Sequence, residues 1–140
     1  MKVDLFYPMF AMILLTMVVG LITIYTRIRD ARSGAMDPRY FKTFNFGTPT
    51  EAVVKTGRHF NNLFEVPTLF YAGCLAGMMT GVSGTLALTF AWLFVVSRVA
   101  HAWIHIGSNK VMRRMPAFVL GVWFMFGLWI CVLLRVLEIG

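Results

Sequence analysis

The sequence contains few charged residues. Only 14% of its 140 residues are Asp, Glu, Lys or Arg, and only six are acidic, whereas 59% are apolar. A soluble domain has about 45–50% apolar and about 25% charged residues, so this chain lacks the polar side chains that cover a globular surface in water. The length allows one domain, and the composition indicates that a lipid bilayer surrounds it.

Cysteine is equally scarce. Cys74 and Cys131 are the two cysteines, and each falls in a long apolar stretch. We interpret them as small packing residues rather than as a disulfide framework or a cysteine metal site. The sequence shows no internal repeat and no low-complexity segment.

Three stretches contain no charged residue, namely residues 5–26, 66–97 and 115–134. About 20 apolar residues span a bilayer as a helix, so each outer stretch predicts one span. The middle stretch is too long for one span, and the turn-forming residues Thr80-Gly81-Val82-Ser83-Gly84 divide it into a hairpin. The prediction is an all-α membrane protein, a single four-transmembrane-helix bundle over 1–140 with helices near 5–28, 49–80, 84–107 and 115–137.

Two of these helices have informative starts. The first is interpreted as a permanent span rather than a signal peptide, because Met1-Lys2-Val3-Asp4 is not a basic leader and no small-residue cleavage site follows. Before the second, Thr48-Pro49-Thr50-Glu51 places a capping hydroxyl, a proline at the first helical position and a carboxylate in the order of a capping box.

Basic residues concentrate on one side of the predicted bundle. Eleven of the thirteen Lys and Arg residues lie after helix 1, at the start of helix 2 or around the helix 3–4 connection, and the other two are Lys2 and Arg135. The positive-inside rule places this side in the cytoplasm and both termini opposite. The sequence thus predicts a multi-pass protein of a bacterial inner membrane or a eukaryotic endomembrane.

A basic surface can have several partners. No nucleic-acid motif accompanies it, so we expect no nucleic-acid partner. Membrane lipids with acidic headgroups or an anionic small molecule fit the charge better.

Polar residues within two helices repeat at spacings of three and four. Each set lies on one helix face: Arg58, Asn62 and Glu65 on helix 2, and Arg98, His101 and His105 on helix 3. Counting from the hairpin turn places Glu65 level with Arg98 and predicts an ion pair between them. By the same count, Asn62 lies level with His101.

The function of these polar residues has two interpretations. A Glu65–Arg98 pair with Asn62 could be only a clamp between helices. A clamp needs one charge of each sign, however, whereas this region has an excess of arginine. The arginines are Arg27, Arg58, Arg98, Arg113 and Arg114. Because charge within a membrane is expected to be paired, the excess predicts a carboxylated ligand or lipid phosphates.

Histidines raise the possibility of a metal site. His101 and His105 are one turn apart and could chelate an ion, with His59 close by. The arginines oppose a cation, however, and no Cys or carboxylate completes the ligand set. Two histidines on one helix also cannot hold a haem from both sides. The sequence therefore predicts no metal site.

Two segments resemble the signatures of a known family. Residues 57–67, Gly-Arg-His-Phe-Asn-Asn-Leu-Phe-Glu-Val-Pro, resemble the Arg-x-x-x-Asn-x-x-Glu motif of the MAPEG proteins, membrane-associated proteins in eicosanoid and glutathione metabolism. Residues 97–107 are similar to the third-helix motif of that family, Arg-Val-x-His followed by an aromatic residue and Gly. Arg114 falls where a family arginine begins helix 4, and Arg27-Ile28-Arg29 resembles the basic end of helix 1.

The resemblance implies a homotrimer that binds glutathione, as a co-substrate, between subunits near the cytoplasmic face. It implies a glutathione-dependent transferase or peroxidase that acts on lipophilic electrophiles or hydroperoxides, or an isomerase of a prostaglandin endoperoxide. Arg114 or Arg113 matches the arginine that stabilises the thiolate. The implied glutathione-binding residues are Arg27, Arg58, Asn62, Glu65, Arg98, His101 and His105.

Two positions depart from the family pattern. Asn61 stands where some catalytic members have arginine, and His105 stands where a tyrosine often contacts the ligand. The family also includes a member that binds lipid and partners without catalysis. The alternative is therefore a non-catalytic membrane scaffold or lipid-binding subunit with the same fold.

Overall fold

The computed structural model describes residues 3–44, 46–82 and 84–139. Within these residues there are six helices and no strand: α1 (Phe6–Arg32), α2 (Tyr40–Thr43), α3 (Glu51–Asn62), α4 (Val66–Thr80), α5 (Thr85–Ile106) and α6 (Val111–Ile139). Four helical units are long and apolar enough to cross a membrane, α3 and α4 together forming the second. The predicted all-α fold with four spans is confirmed. Lys2 and Ser83, used in the charge count and the turn, lie outside the described residues.

The second span begins two residues later than the sequence predicts. Thr50, not Thr48, is the N-cap of α3, and its Oγ1 accepts the N–H of Val53 at 3.2 Å. Thr50 Oγ1 also donates a hydrogen bond to the carboxylate of Asp30, which is buried near the end of α1. This contact between α1 and the start of α3 accounts for the use of the second threonine as the cap.

The second span is also interrupted, in contrast to the uninterrupted helix predicted over 49–80. Residues 63–65 form turns between α3 and α4. Pro67 follows this break; its ring clashes with a helical carbonyl four residues earlier and disfavours helical backbone just before it. Glu65 accordingly has φ −90° and ψ −95°, and its side chain is exposed.

The connection between α1 and α3 contains a short local ion pair. Asp37 accepts the backbone N–H of Arg39 at 2.8 Å, and Arg39 Nη2 donates to Asp37 Oδ2 at 2.8 Å. These bonds hold the pKa of Asp37 below its usual range. They fix the turn that precedes α2, whose Tyr40 and Phe41 line a pocket described below.

Close packing against its neighbours fixes the position of α5, the helix that carries Arg98, His101 and His105. The most extensive helix pair is α5 with α6, while α4 packs against α6 and α1. A Cβ at Gly121 of α6 would lie only 2.6 Å from Ser97 Oγ of α5. Small residues allow such close approach between membrane helices. Stacked rings of Phe70 and Phe94, 4.2 Å between centroids, connect α4 to α5.

We expect Gly121→Leu to destabilise the bundle by about 1–3 kcal/mol, because overpacking forces neighbouring helices apart. Thermal unfolding in detergent, followed by circular dichroism, measures the effect. The control is Gly84→Leu, since a Cβ at Gly84 meets no atom within 4 Å. Equal unfolding midpoints for the two variants would contradict close α5–α6 packing at Gly121.

Candidate functional site

The polar faces of α3 and α5 meet inside the bundle, beside the start of α6. Arg98 and His59 are fully buried, and His101 and His105 are 4% and 6% exposed. Asn62 and Arg114 are half-buried. We name these residues the polar cluster: His59, Asn62, Arg98, His101, His105 and Arg114.

Arg98 is the most deeply buried charge of the polar cluster. Its Nη2 donates to Asn62 Oδ1 and, at 3.5 Å, to the main-chain oxygen of Asn62. Its guanidinium carbon lies 5.3 Å from the centroid of the Phe118 ring. Nε and Nη1 of Arg98 are buried and have no hydrogen-bond partner among the described residues. Because a buried donor without an acceptor costs free energy, these two nitrogens are suited to an anionic ligand.

The predicted ion pair between Glu65 and Arg98 is absent from the ion pairs of the described residues. Asn62 joins the two instead, because its Nδ2 donates to Glu65 Oε2 at 3.1 Å while its Oδ1 accepts from Arg98. The prediction assumed one unbroken helix with an even rise. Because the second span is broken at 63–65, Asn62 lies level with Arg98. The prediction had placed Asn62 level with His101, about one helical turn away.

The three histidines of the polar cluster lie against one another. The His59 ring centroid is 5.5 Å from that of His101 and 5.0 Å from that of His105, and the latter two are 5.6 Å apart. His101 Nδ1 lies 3.1 Å from the main-chain oxygen of Arg114. The α3 helix therefore contributes one imidazole and α5 contributes two.

The two arginines at the start of α6 have different surroundings. Arg114 Nη1 donates to Asn109 Oδ1 at 2.7 Å. Asn109 has φ 51°, a left-handed conformation that asparagine tolerates better than most residues. Arg113 is exposed and lines an apolar groove between α1 and α5. The structure thus brings Arg114, but not Arg113, to the polar cluster.

Arg27 and Arg58 line a different pocket, of about 420 Å³, beneath the connection between α1 and α3. We name it the basic pocket; Asn61 and the aromatic residues Tyr40, Phe41 and Phe44 also line it. The guanidinium carbon of Arg27 is 5.4 Å from the Phe41 ring centroid. Arg27 Nε is buried without a hydrogen-bond partner among the described residues. The basic pocket therefore also offers a donor to an anion.

An apolar groove of about 680 Å³ lies between α1 and α5. Val18 and Ile22 line it from α1, and Val99 and Trp103 line it from α5. With Arg113 also in its lining, the groove has the shape and polarity for a lipophilic molecule with one polar group.

Two residues at the site were not predicted from the sequence. Phe118 lies four residues after Arg114, so helical spacing places both on one face of α6 and was a usable signal. Asn109 follows Gly107-Ser108, a turn signal, but its bond to Arg114 depends on how the loop returns to the bundle. That contact has no signature in the sequence.

Comparison with known proteins gives one match. A model of the MAPEG family matches residues 5–134, nearly the whole chain. No curated protein and no solved structure shows a significant match to the sequence.

Proposed function

The chain belongs to the MAPEG family, and on that premise we propose that it is a glutathione-dependent membrane transferase or peroxidase acting on lipophilic electrophiles or hydroperoxides. The observation that carries the proposal is the buried guanidinium of Arg98, with two nitrogens that have no acceptor among the described residues. Glutathione is a tripeptide with two carboxylates, and arginine binds carboxylates through paired donors.

The proposed glutathione contacts use Arg98 of the polar cluster and the two arginines of the basic pocket. Arg98 with Asn62, and Arg27 with Arg58, would receive the two carboxylates, while the exposed carboxylate of Glu65 would accept the α-ammonium group. His101 and His105 would border the ligand within the polar cluster. Each pairing matches an acidic or basic group of the tripeptide with the opposite charge.

We further propose that the functional unit is a homotrimer with glutathione between subunits. Arg58 and Glu65 are exposed in the single chain, which supports a site that a second subunit completes. Trp103 and Met79 are 84% and 83% exposed, so lipid or a neighbouring subunit covers large apolar side chains. In the proposed orientation the basic loops are cytoplasmic and the termini lie opposite.

In the proposed reaction Arg114 stabilises the glutathione thiolate, because a nearby cation lowers the pKa of a thiol. With an electrophile, the sulfur forms a bond to carbon as the leaving group departs. With a hydroperoxide, the sulfur attacks the terminal oxygen and the O–O bond breaks, giving an alcohol and a sulfenic acid. A second glutathione converts that sulfenic acid to a disulfide and water. The apolar groove beside Arg113 would admit the lipophilic substrate.

A non-catalytic scaffold that binds lipid is the second candidate. Asn61 favours it, since this residue lines the basic pocket where some catalytic members of the family have arginine. In this case lipid phosphates would contact Arg27 and Arg58, and the polar cluster would serve as a clamp between helices.

An activity assay separates the two candidates. We expect the purified protein in mild detergent to conjugate reduced glutathione to an aryl halide, or to reduce a hydrophobic hydroperoxide, with a rate that saturates in glutathione. S-methylglutathione, which lacks a free thiol, should give no product. A folded protein that turns over neither substrate class would favour the scaffold.

A further inference from the structure

The three histidines form a cluster to which the proposed reaction assigns no chemical step, although His101 and His105 would border the bound glutathione. One ring nitrogen from each of His59, His101 and His105 lies within 4.8 Å of the others, and all three side chains are buried. We propose that this cluster is a binding site for a divalent transition-metal ion of the zinc class. The proposal does not rest on glutathione binding.

Hydrogen bonding in the cluster leaves the ligand atoms available. Both ring nitrogens of His59, which is 0% exposed, and Nδ1 of His105 are buried with no partner among the described residues. A buried polar atom without a partner carries a desolvation cost. Coordination of a metal ion by one nitrogen of each ring would reduce that cost.

One ring nitrogen of His101 has the kind of hydrogen-bond partner that metal-binding histidines commonly have. Its Nδ1 lies 3.1 Å from the main-chain oxygen of Arg114, and with that nitrogen as donor Nε2 carries the free lone pair. Metal-binding histidines commonly donate their other N–H to a carbonyl or carboxylate, which fixes the tautomer. The carbonyl of Arg114 would do this for His101.

The geometry requires only small adjustments. Zinc-bound imidazole nitrogens lie about 2.0–2.1 Å from the metal, so two of them in a tetrahedral site are about 3.3 Å apart. The candidate ligand atoms lie within 4.8 Å of one another, and the broad χ2 torsions of the His rings allow them to move closer. His105 lies one residue before the end of α5, which provides a short path to water.

The ligand set selects the class of metal. Imidazole nitrogen suits Zn²⁺, Cu²⁺ and Ni²⁺ rather than Mg²⁺ or Ca²⁺, which prefer oxygen. Three histidines leave a fourth position open, as in catalytic zinc sites. The charges of Arg98 and Arg114 oppose a cation, although one nitrogen of each donates to Asn62 or Asn109. An anion such as hydroxide at the fourth position would offset this repulsion.

The sequence predicted no metal site because the arginines oppose a cation and because no Cys or carboxylate completes the ligand set. His59 on α3 supplies the third ligand, because it lies level with the pair on α5. The sequence contains three histidines in all, so the cluster uses every one of them. Any histidine-dependent metal binding by this chain therefore originates here.

Titration of the chelator-treated protein with Co²⁺ tests the proposal, using an affinity tag without histidine. We expect one Co²⁺ per chain, with the visible absorption of a tetrahedral complex, and displacement by Zn²⁺ but not by Mg²⁺. We expect each of the variants His59→Gln, His101→Gln and His105→Gln to weaken Co²⁺ binding by at least about tenfold. Even loss of a residue that only orients a metal ligand lowers metal affinity by about 10–100-fold.

The matched control is Cys74→Ala with Cys131→Ala, which removes both thiol ligands of the chain and should leave Co²⁺ binding unchanged. Helical circular dichroism verifies that each variant is folded. The proposal is overturned if the folded wild-type protein binds no Co²⁺ at about 100 μM, or if its binding is insensitive to His59→Gln. Binding that disappears in the cysteine variant and persists in the histidine variants would also overturn it.

Discussion

Arg98→Met is expected to abolish glutathione binding while leaving the bundle folded. The change removes the two buried nitrogens that have no acceptor among the described residues, and hydrogen bonds to charged groups contribute about 1.5–3 kcal/mol each. We therefore expect affinity to fall by about 100-fold or more. Removal of a buried charge and its unsatisfied donors offsets the loss of the hydrogen bond to the half-buried Asn62, so the change in thermal stability should be small. Calorimetry and thermal unfolding in detergent measure the two effects.

The control for this variant is Arg135→Met. Arg135 donates to the main-chain oxygen of Thr80 and to Glu138, at the end of the bundle where α4 ends. Glutathione affinity should be unchanged in this variant. If Arg98→Met instead retained affinity and unfolded at a much lower temperature, Arg98 would be a clamp between α3 and α5 rather than a ligand-binding residue.

Arg114→Ala is expected to reduce turnover by about 10²–10³-fold with little change in glutathione affinity. The variant loses the cation that stabilises the bound thiolate, so less of the reactive anion forms and kcat falls, and loss of one such charge-stabilising donor typically has an effect of this size. The carboxylate contacts that set the affinity are retained. Steady-state rates over a range of glutathione concentrations, with a calorimetric titration of the same sample, separate the two parameters.

Arg113→Ala is the matched control, because Arg113 is the adjacent residue but lies in the apolar groove. It should retain most of the turnover, and its effect should appear in the KM for the lipophilic substrate. Size-exclusion chromatography checks that both variants keep the assembly of the wild type. Full activity in Arg114→Ala, together with loss in Arg113→Ala, would assign thiolate stabilisation to Arg113.

The spans were the part of the fold that the sequence could predict. Stretches of about 20 residues without charge must cross the bilayer, and the requirement does not depend on how the helices pack. The observed helices accordingly cover all four predicted regions, although α1, α5 and α6 end at somewhat different residues. The helical spacing also placed Asn62 and Arg98 on facing surfaces, as the structure has them.

The details that depend on contacts between helices could not be predicted in this way. The Thr50 cap depends on Asp30, which is twenty residues away in sequence and buried by the fold. The break at 63–65 shifts the register, so that Asn62 rather than Glu65 meets Arg98 and the expected ion pair does not form. The sequence placed His59 close to the α5 histidines, but the approach of one nitrogen from each ring to within 4.8 Å of the others depends on how α3 packs against α5.

The central claim is that the excess of buried arginine donors binds glutathione. Calorimetric titration of the purified wild-type protein with reduced glutathione tests it most directly, with S-methylglutathione as the thiol-blocked comparison. The account predicts saturable binding of both compounds, because the arginines recognise the carboxylates that the two share. No binding of either compound at millimolar concentration, by a folded protein with the thermal stability of the active sample, would contradict it.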